Sequence, residues 1–77
     1  MTYEQLLGIL RDLHPEIDFE TAEGLIDGKI LTSFDVVSIV AELSETWGVD
    51  IGAVDIVPEN FNSARALFAL VQRTEEE

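Results

Sequence analysis

The chain is 77 residues long, carries 16 acidic against 4 basic residues for a formal charge of −12, and is 47% hydrophobic with no cysteine. That length makes one small domain, and the apolar share is enough for one core, which excludes a disordered chain. Lack of cysteine excludes disulfides and thiolate metal ligation, scarce Lys and Arg exclude a nucleic-acid partner, and no apolar run reaches the roughly 20 residues of a membrane span. The first residues carry no signal-peptide pattern. The expectation is therefore a cytoplasmic monomer of a single domain, residues 1–77, steered by its acidity towards basic partners and sensitive to salt and divalent cations through self-repulsion.

The first predicted helix is capped by Thr2, with Gln5 three residues on completing a capping box. Tyr3, Leu6, Leu7, Leu10 and Leu13 share one face and Glu4, Arg11 and Asp12 the other. His14 followed by Pro15 ends this helix, because the residue before a proline avoids the helical region. Residues 14–32 then form a connection of a length that is uncommon in small domains and often functional. Ile17, Phe19, Leu25, Ile26, Ile30 and Leu31 are expected to pin it to the core, with a turn of helix over 21–24 and a tight turn at Asp27-Gly28.

A second helix is predicted over about 34–47, with Val36, Ile39, Val40, Leu43 and Trp47 as its core stripe. Asp35, Ser38, Glu42, Glu45 and Thr46 form its polar face, and Phe34, Val37 and Ala41 flank that face off the core stripe. Gly48 stops the helix through a left-handed cap. Val49-Asp50-Ile51 is too short for a sheet with no other convincing strand, and a helical turn over 52–56 is expected to end at Pro58. The last helix starts after Ser63 as N-cap, with Ala64, Leu67, Phe68, Leu70 and Val71 inward and Arg65, Gln72 and Arg73 outward. Acidic residues 75–77 oppose the helix dipole, so the tail is expected to fray. Three substantial helices and a short one must turn their apolar stripes towards each other, which gives an all-α fold, a small helical bundle.

Ser33 is the residue best placed for chemistry. It is read as the N-cap of the second helix, and Val36 three residues on is not the Glu or Gln of a capping box. A hydroxyl there is exposed beside unpaired N–H groups and the positive end of the helix dipole, which suits an anionic group, including a phosphate esterified to the serine itself. Hydrolase chemistry is not expected, since a nucleophilic serine needs a base and an orienting acid. The one histidine, His14, is read as a surface or loop residue beside a helix-ending proline. No calcium-loop spacing occurs, and Asp50, Asp55 and Glu59 are read as solvated charge. No catalytic residue and no metal ligand is assigned, so the chain is not read as an enzyme. Phe34, Val37 and Ala41 either form an apolar partner surface rimmed by acids or are covered, with Phe34 beneath Ile30 and Leu31.

Thr32-Ser33-Phe34, preceded by Gly28-Lys29-Ile30-Leu31 and followed by Asp35-Val36-Val37, resembles the Asp-Ser-Leu type motif of the acyl carrier proteins and related phosphopantetheine carriers. Glu42-Leu43 and Trp47-Gly48-Val49-Asp50-Ile51 match that family's second-helix end, and Asn60-Phe61-Asn62-Ser63 matches the lead into its last helix. The resemblance covers essentially the whole chain. It implies a right-handed four-helix bundle with a long first loop and a short third helix. It implies that Ser33 receives 4′-phosphopantetheine from coenzyme A through a Mg²⁺-dependent phosphopantetheinyl transferase. The chain would then be a discrete carrier that shuttles acyl or aminoacyl thioesters for fatty acid, polyketide, nonribosomal peptide or related lipid or secondary metabolite biosynthesis. Its partners would be a loading ligase and downstream enzymes with basic surfaces. Phe34, Asp35, Val37 and Ala41 would line the partner-facing side, with Glu45 as a charge contact and Ile51 near the arm. The chain departs from the family at Thr32, where Asp is usual, and at Ser38 and Ser44, neutral where fatty-acid carriers are often acidic. The alternative reading is an unmodified interaction module on the same fold.

Overall fold

A computed structural model describes residues 1–76, apart from the side chain of Glu76. Thr2 opens α1 (Tyr3–Leu13) through the reciprocal pair its sequence encodes. The Gln5 N–H donates to the Thr2 hydroxyl oxygen at 3.2 Å, and the Thr2 N–H donates to Gln5 Oε1 at 2.8 Å. Two otherwise unpaired donors are thereby satisfied. Leu6, Leu7 and Leu10 are buried, with Tyr3 and Leu13 packed at the margin. His14 closes the helix as C-cap ahead of Pro15.

The connection over 14–32 contains no helix. One helical turn lies earlier than the expected 21–24: the N–H groups of Thr21 and Ala22 donate to the Asp18 carbonyl at 3.3 and 2.9 Å. The Asp18 side chain holds that turn, accepting from the Glu20 N–H and the Thr21 hydroxyl. The tight turn at Asp27-Gly28 is present, closed by the Gly28 N–H on the Gly24 carbonyl. A Cβ on Gly28 would sit 2.7 Å from that carbonyl oxygen, so this close approach needs glycine. Phe19, Leu25 and Leu31 anchor the connection in the core, and Ile17 and Ile26 pack against it. Ile30 does not join them; it is exposed, because the turn aims it outward.

α2 (Ser33–Trp47) runs one residue longer at its start than expected and ends at Gly48, whose φ of 67° provides the left-handed cap. Val36, Ile39 and Leu43 are buried and Val40 is partly so. Trp47 leaves the expected stripe: it is the last residue of α2 and is exposed. A 3₁₀ turn over Ala53–Asp55 follows. Pro58 does not terminate it but opens a separate helix, α3 (Pro58–Phe61), since a proline at the first helical position lacks only a donor that has no partner there. The Ser63 hydroxyl oxygen accepts from the Ala66 N–H at 3.1 Å and caps α4 (Ala64–Glu76). Ala64, Leu67, Leu70 and Val71 are buried, and Phe68 meets Tyr3 edge-on with ring centroids 5.5 Å apart. The acidic tail remains helical through Glu76, with Glu75 Oε2 accepting from the Met1 amino group at 2.8 Å; Glu77 lies outside the described residues.

α1 packs against both α2 and α4, and α3 against α4. The molecule is all-helical among the described residues, with one apolar core. Each fully buried leucine in it contributes about 1.5–3 kcal/mol through removal from water.

Candidate functional site

The start of α2 is built from Thr32, not Ser33. Thr32 has extended backbone (φ −95°, ψ 172°) and its hydroxyl oxygen accepts from the Asp35 N–H at 3.2 Å. Asp35 Oδ2 in turn accepts from the Thr32 N–H at 2.9 Å and from the Thr32 hydroxyl at 3.0 Å. The capping box therefore exists one residue upstream of the expected position, with Asp in place of Glu or Gln as its third-position acceptor. Thr32 takes the Asp35 N–H, and Val36 gives Ser33 no side-chain acceptor with which to build a box of its own.

This corrects the position of Ser33 without hiding it. Ser33 is the first helical residue, exposed, with its hydroxyl free of the capping role. Two adjoining cavities share it at their rims. One, of about 230 Å³, is lined by Ile26, Val36, Val37, Ile56, Pro58 and Phe61. The second, of about 350 Å³, is bordered by Lys29, Leu31 and Thr32. A group attached to Ser33 has open solvent above it and an apolar groove beside it.

The expected partner-facing residues separate into three kinds. Phe34 and Val37 are 76% and 62% exposed, and Ala41 and Glu45 are exposed along the same helix. Phe34 is thus not buried beneath Ile30 and Leu31. Val54 of the 3₁₀ turn, 87% exposed, adds to the apolar surface of the molecule. Asp35 is different: its carboxylate is held by Thr32 on one oxygen and by His14 on the other, so it is a structural acceptor and not a free charge. Ile51 is a correction of another kind. It is only 7% exposed and belongs to the core, because Gly48 turns the chain so that Val49 and Ile51 both point inward.

His14 was read as a loop histidine, and the structure gives it partners. Nδ1 lies 2.9 Å from Glu16 Oε1 and Nε2 lies 2.9 Å from Asp35 Oδ1. The Glu16 hydrogen bond, with help from Asp35, raises the imidazole above its ordinary value against the opposing effect of burial. The Thr32 N–H, followed by the Thr32 hydroxyl and His14, lowers the Asp35 carboxyl, and the His14 hydrogen bond lowers Glu16. The imidazole is bound to Asp35, not to the serine hydroxyl.

Asn62 is a further residue whose role sequence reasoning missed. Its Oδ1 accepts from the N–H groups of Ile26 and Asp27, both at 3.0 Å, while its Nδ2 donates to Asp27 Oδ2 at 3.0 Å. Its backbone carbonyl also accepts from the Leu25 N–H at 2.9 Å. One asparagine thus ties the long connection to the α3–α4 junction. The only signal was an Asn just ahead of a helix cap, which carries no information about a partner some 35 residues away. Among the described residues no helix is long and apolar enough to cross a membrane. No family model, no curated protein and no solved structure matches the chain.

Proposed function

We propose that this chain is a discrete phosphopantetheine carrier, with Ser33 as the attachment residue. The observation that carries the reading is the exposed Ser33 hydroxyl at the first residue of α2, relieved of capping by Thr32 and set beside an apolar groove. The residues fit the group: the hydroxyl is reachable, the neighbouring Asp35 carboxylate is turned away into the cap, and solvent lies above. When bound, the arm would supply a thiol that carries acyl or aminoacyl groups as thioesters. Ser33 Oγ would form the new phosphorus–oxygen bond as the bond between the two phosphates of coenzyme A breaks. The adenosine-containing part leaves, and the serine proton passes to the Mg²⁺-dependent transferase. The finer right-handed arrangement of the four helices belongs to the same reading.

The partner surface in this reading is the exposed stripe Phe34, Val37 and Ala41, with Glu45 at its far end. Acidic charge elsewhere raises encounter rates with basic enzymes, while the apolar stripe supplies contact area. The exposure of Phe34 also favours a second reading, an unmodified interaction module, since that stripe is available whether or not Ser33 is modified.

Incubation with coenzyme A, Mg²⁺ and a broad-range transferase, followed by intact mass, separates the two. The carrier reading expects one added phosphopantetheine on wild type and none on Ser33→Ala. No addition to wild type, or equal addition to both, overturns it, and partner capture that survives Ser33→Ala then selects the module.

A further inference from the structure

Two carboxylates face the two nitrogens of His14 at equal distances of 2.9 Å. An ionised carboxylate only accepts hydrogen bonds, and a neutral imidazole has one donor and one acceptor. A neutral His14 can therefore satisfy Glu16 or Asp35 but not both; its other nitrogen would point a lone pair at carboxylate oxygen. Only the imidazolium donates in both directions. The geometry selects the charged form on hydrogen-bond grounds alone.

The placement gives this charge leverage. His14 is the C-cap of α1, and Asp35 is the acceptor that closes the capping box at the start of α2. Asp35 uses Oδ1 for His14 and Oδ2 for Thr32, so a single carboxylate joins the end of one helix to the beginning of the next. Ser33 and Phe34 lie within the four-residue span that the box brackets. Whatever moves Asp35 moves their backbone.

We propose that His14 is a positioning residue for the start of α2: its imidazolium ties the end of α1 to the Asp35 carboxylate and so fixes Thr32, Ser33 and Phe34, and loss of its proton slackens that segment. The charged groups acting on it are Glu16 from the connection and Asp35 from α2. On α1 itself the neighbouring cation, Arg11, is engaged by Glu20 at 3.0 Å. The raised value of His14 places the transition on the alkaline side of an ordinary histidine. The sign follows. The contact is complete below the unfolded-chain value near 6.5 and fades as pH rises through the higher folded value. At the acid end it holds until Glu16 and Asp35 protonate, and both are lowered.

The device does not depend on any group being attached to Ser33, so its test uses the unmodified protein. A pH titration by heteronuclear NMR follows the His14 ring protons together with the backbone amides of Thr32, Ser33, Phe34 and Asp35. The four amides are expected to shift with the His14 midpoint, and their hydrogen-exchange protection to fall above it. In His14→Gln that inflection is expected to vanish while distant α4 amides keep their wild-type shifts. Glu16→Gln, a change at an exposed side chain, is expected to lower the His14 midpoint with the fold intact. Amides indifferent to His14 in wild type, or an inflection that persists in His14→Gln, overturn the proposal. A His14 midpoint unmoved by Glu16→Gln does the same.

Discussion

Lys29 is the one non-glycine residue with positive φ among the described residues, at 59°. That conformation costs an L-residue about 1–2 kcal/mol, and glycine recovers it less an entropic loss of about 0.5–1 kcal/mol. Lys29→Gly is therefore expected to raise stability by up to about 1 kcal/mol, read as a higher urea midpoint at unchanged m. A lower midpoint would show that the lysine side chain holds the turn. The same scale shows what sequence could not resolve. Thr32 and Ser33 are both good N-caps, and the choice between them was made by Asp35, a reciprocal acceptor short enough to be overlooked. His14 read as a loop residue because nothing in its neighbourhood announces Asp35, 21 positions later. Ser33 itself was legible, since exposure at a helix start follows from the end of the turn-rich loop and the beginning of an apolar period.

At the scale of elements, helix ends were the most readable features wherever the signal was local. Thr2 with Gln5, Pro15, Gly48 and Ser63 each act within four residues of themselves, and each stands where it was expected. Pro58 was ambiguous because proline both stops one helix and starts another; the four-residue α3 resolves it. Ile30 and Trp47 were expected in the core and are exposed, because burial depends on how elements pass each other, which periodicity does not encode. The capping box is the element most open to test. Thr32→Ala removes its side-chain acceptor and is expected to cost about 1 kcal/mol, within the 0.5–2 kcal/mol found for such caps. A denaturation curve superimposable on wild type would mean that the Asp35–His14 contact alone fixes the start of α2.

On the whole molecule, a formal charge of −12 on 77 residues acts against compaction. Among the described residues few of the acids have cationic partners; Arg11 serves Glu20, and Arg65 lies 5.9 Å from the centroid of the Tyr3 ring. Monovalent salt only screens this repulsion, over a Debye length of about 10 Å at 0.1 M, whereas a divalent cation can sit between neighbouring carboxylates. Millimolar Mg²⁺ is expected to raise Tm beyond the rise given by NaCl at matched ionic strength. Identical melts in the two salts would reduce the effect to screening. This property was fully present in composition, while the groove beside Ser33 was not, because its lining comes from residues 26, 36–37, 56–58 and 61, brought together only by the fold.

Two of the stretches that line that groove are fastened in different ways. Ile26 belongs to a backbone that Asn62 grips at two N–H groups, with Asp27 gripped in return. Ile56 belongs to a short stretch that rests on the Asn60 side chain, whose Nδ2 donates to the Asp55 carbonyl at 2.8 Å. The first is tied to a distant segment through Asn62; the second is held by short-range bonds, the Ile56 N–H on the Ala53 carbonyl among them, and by Phe61 in the core. Loss of the Asn62 side chain would therefore part segments far apart in the chain, whereas loss of the Asn60 side chain would release only a local turn.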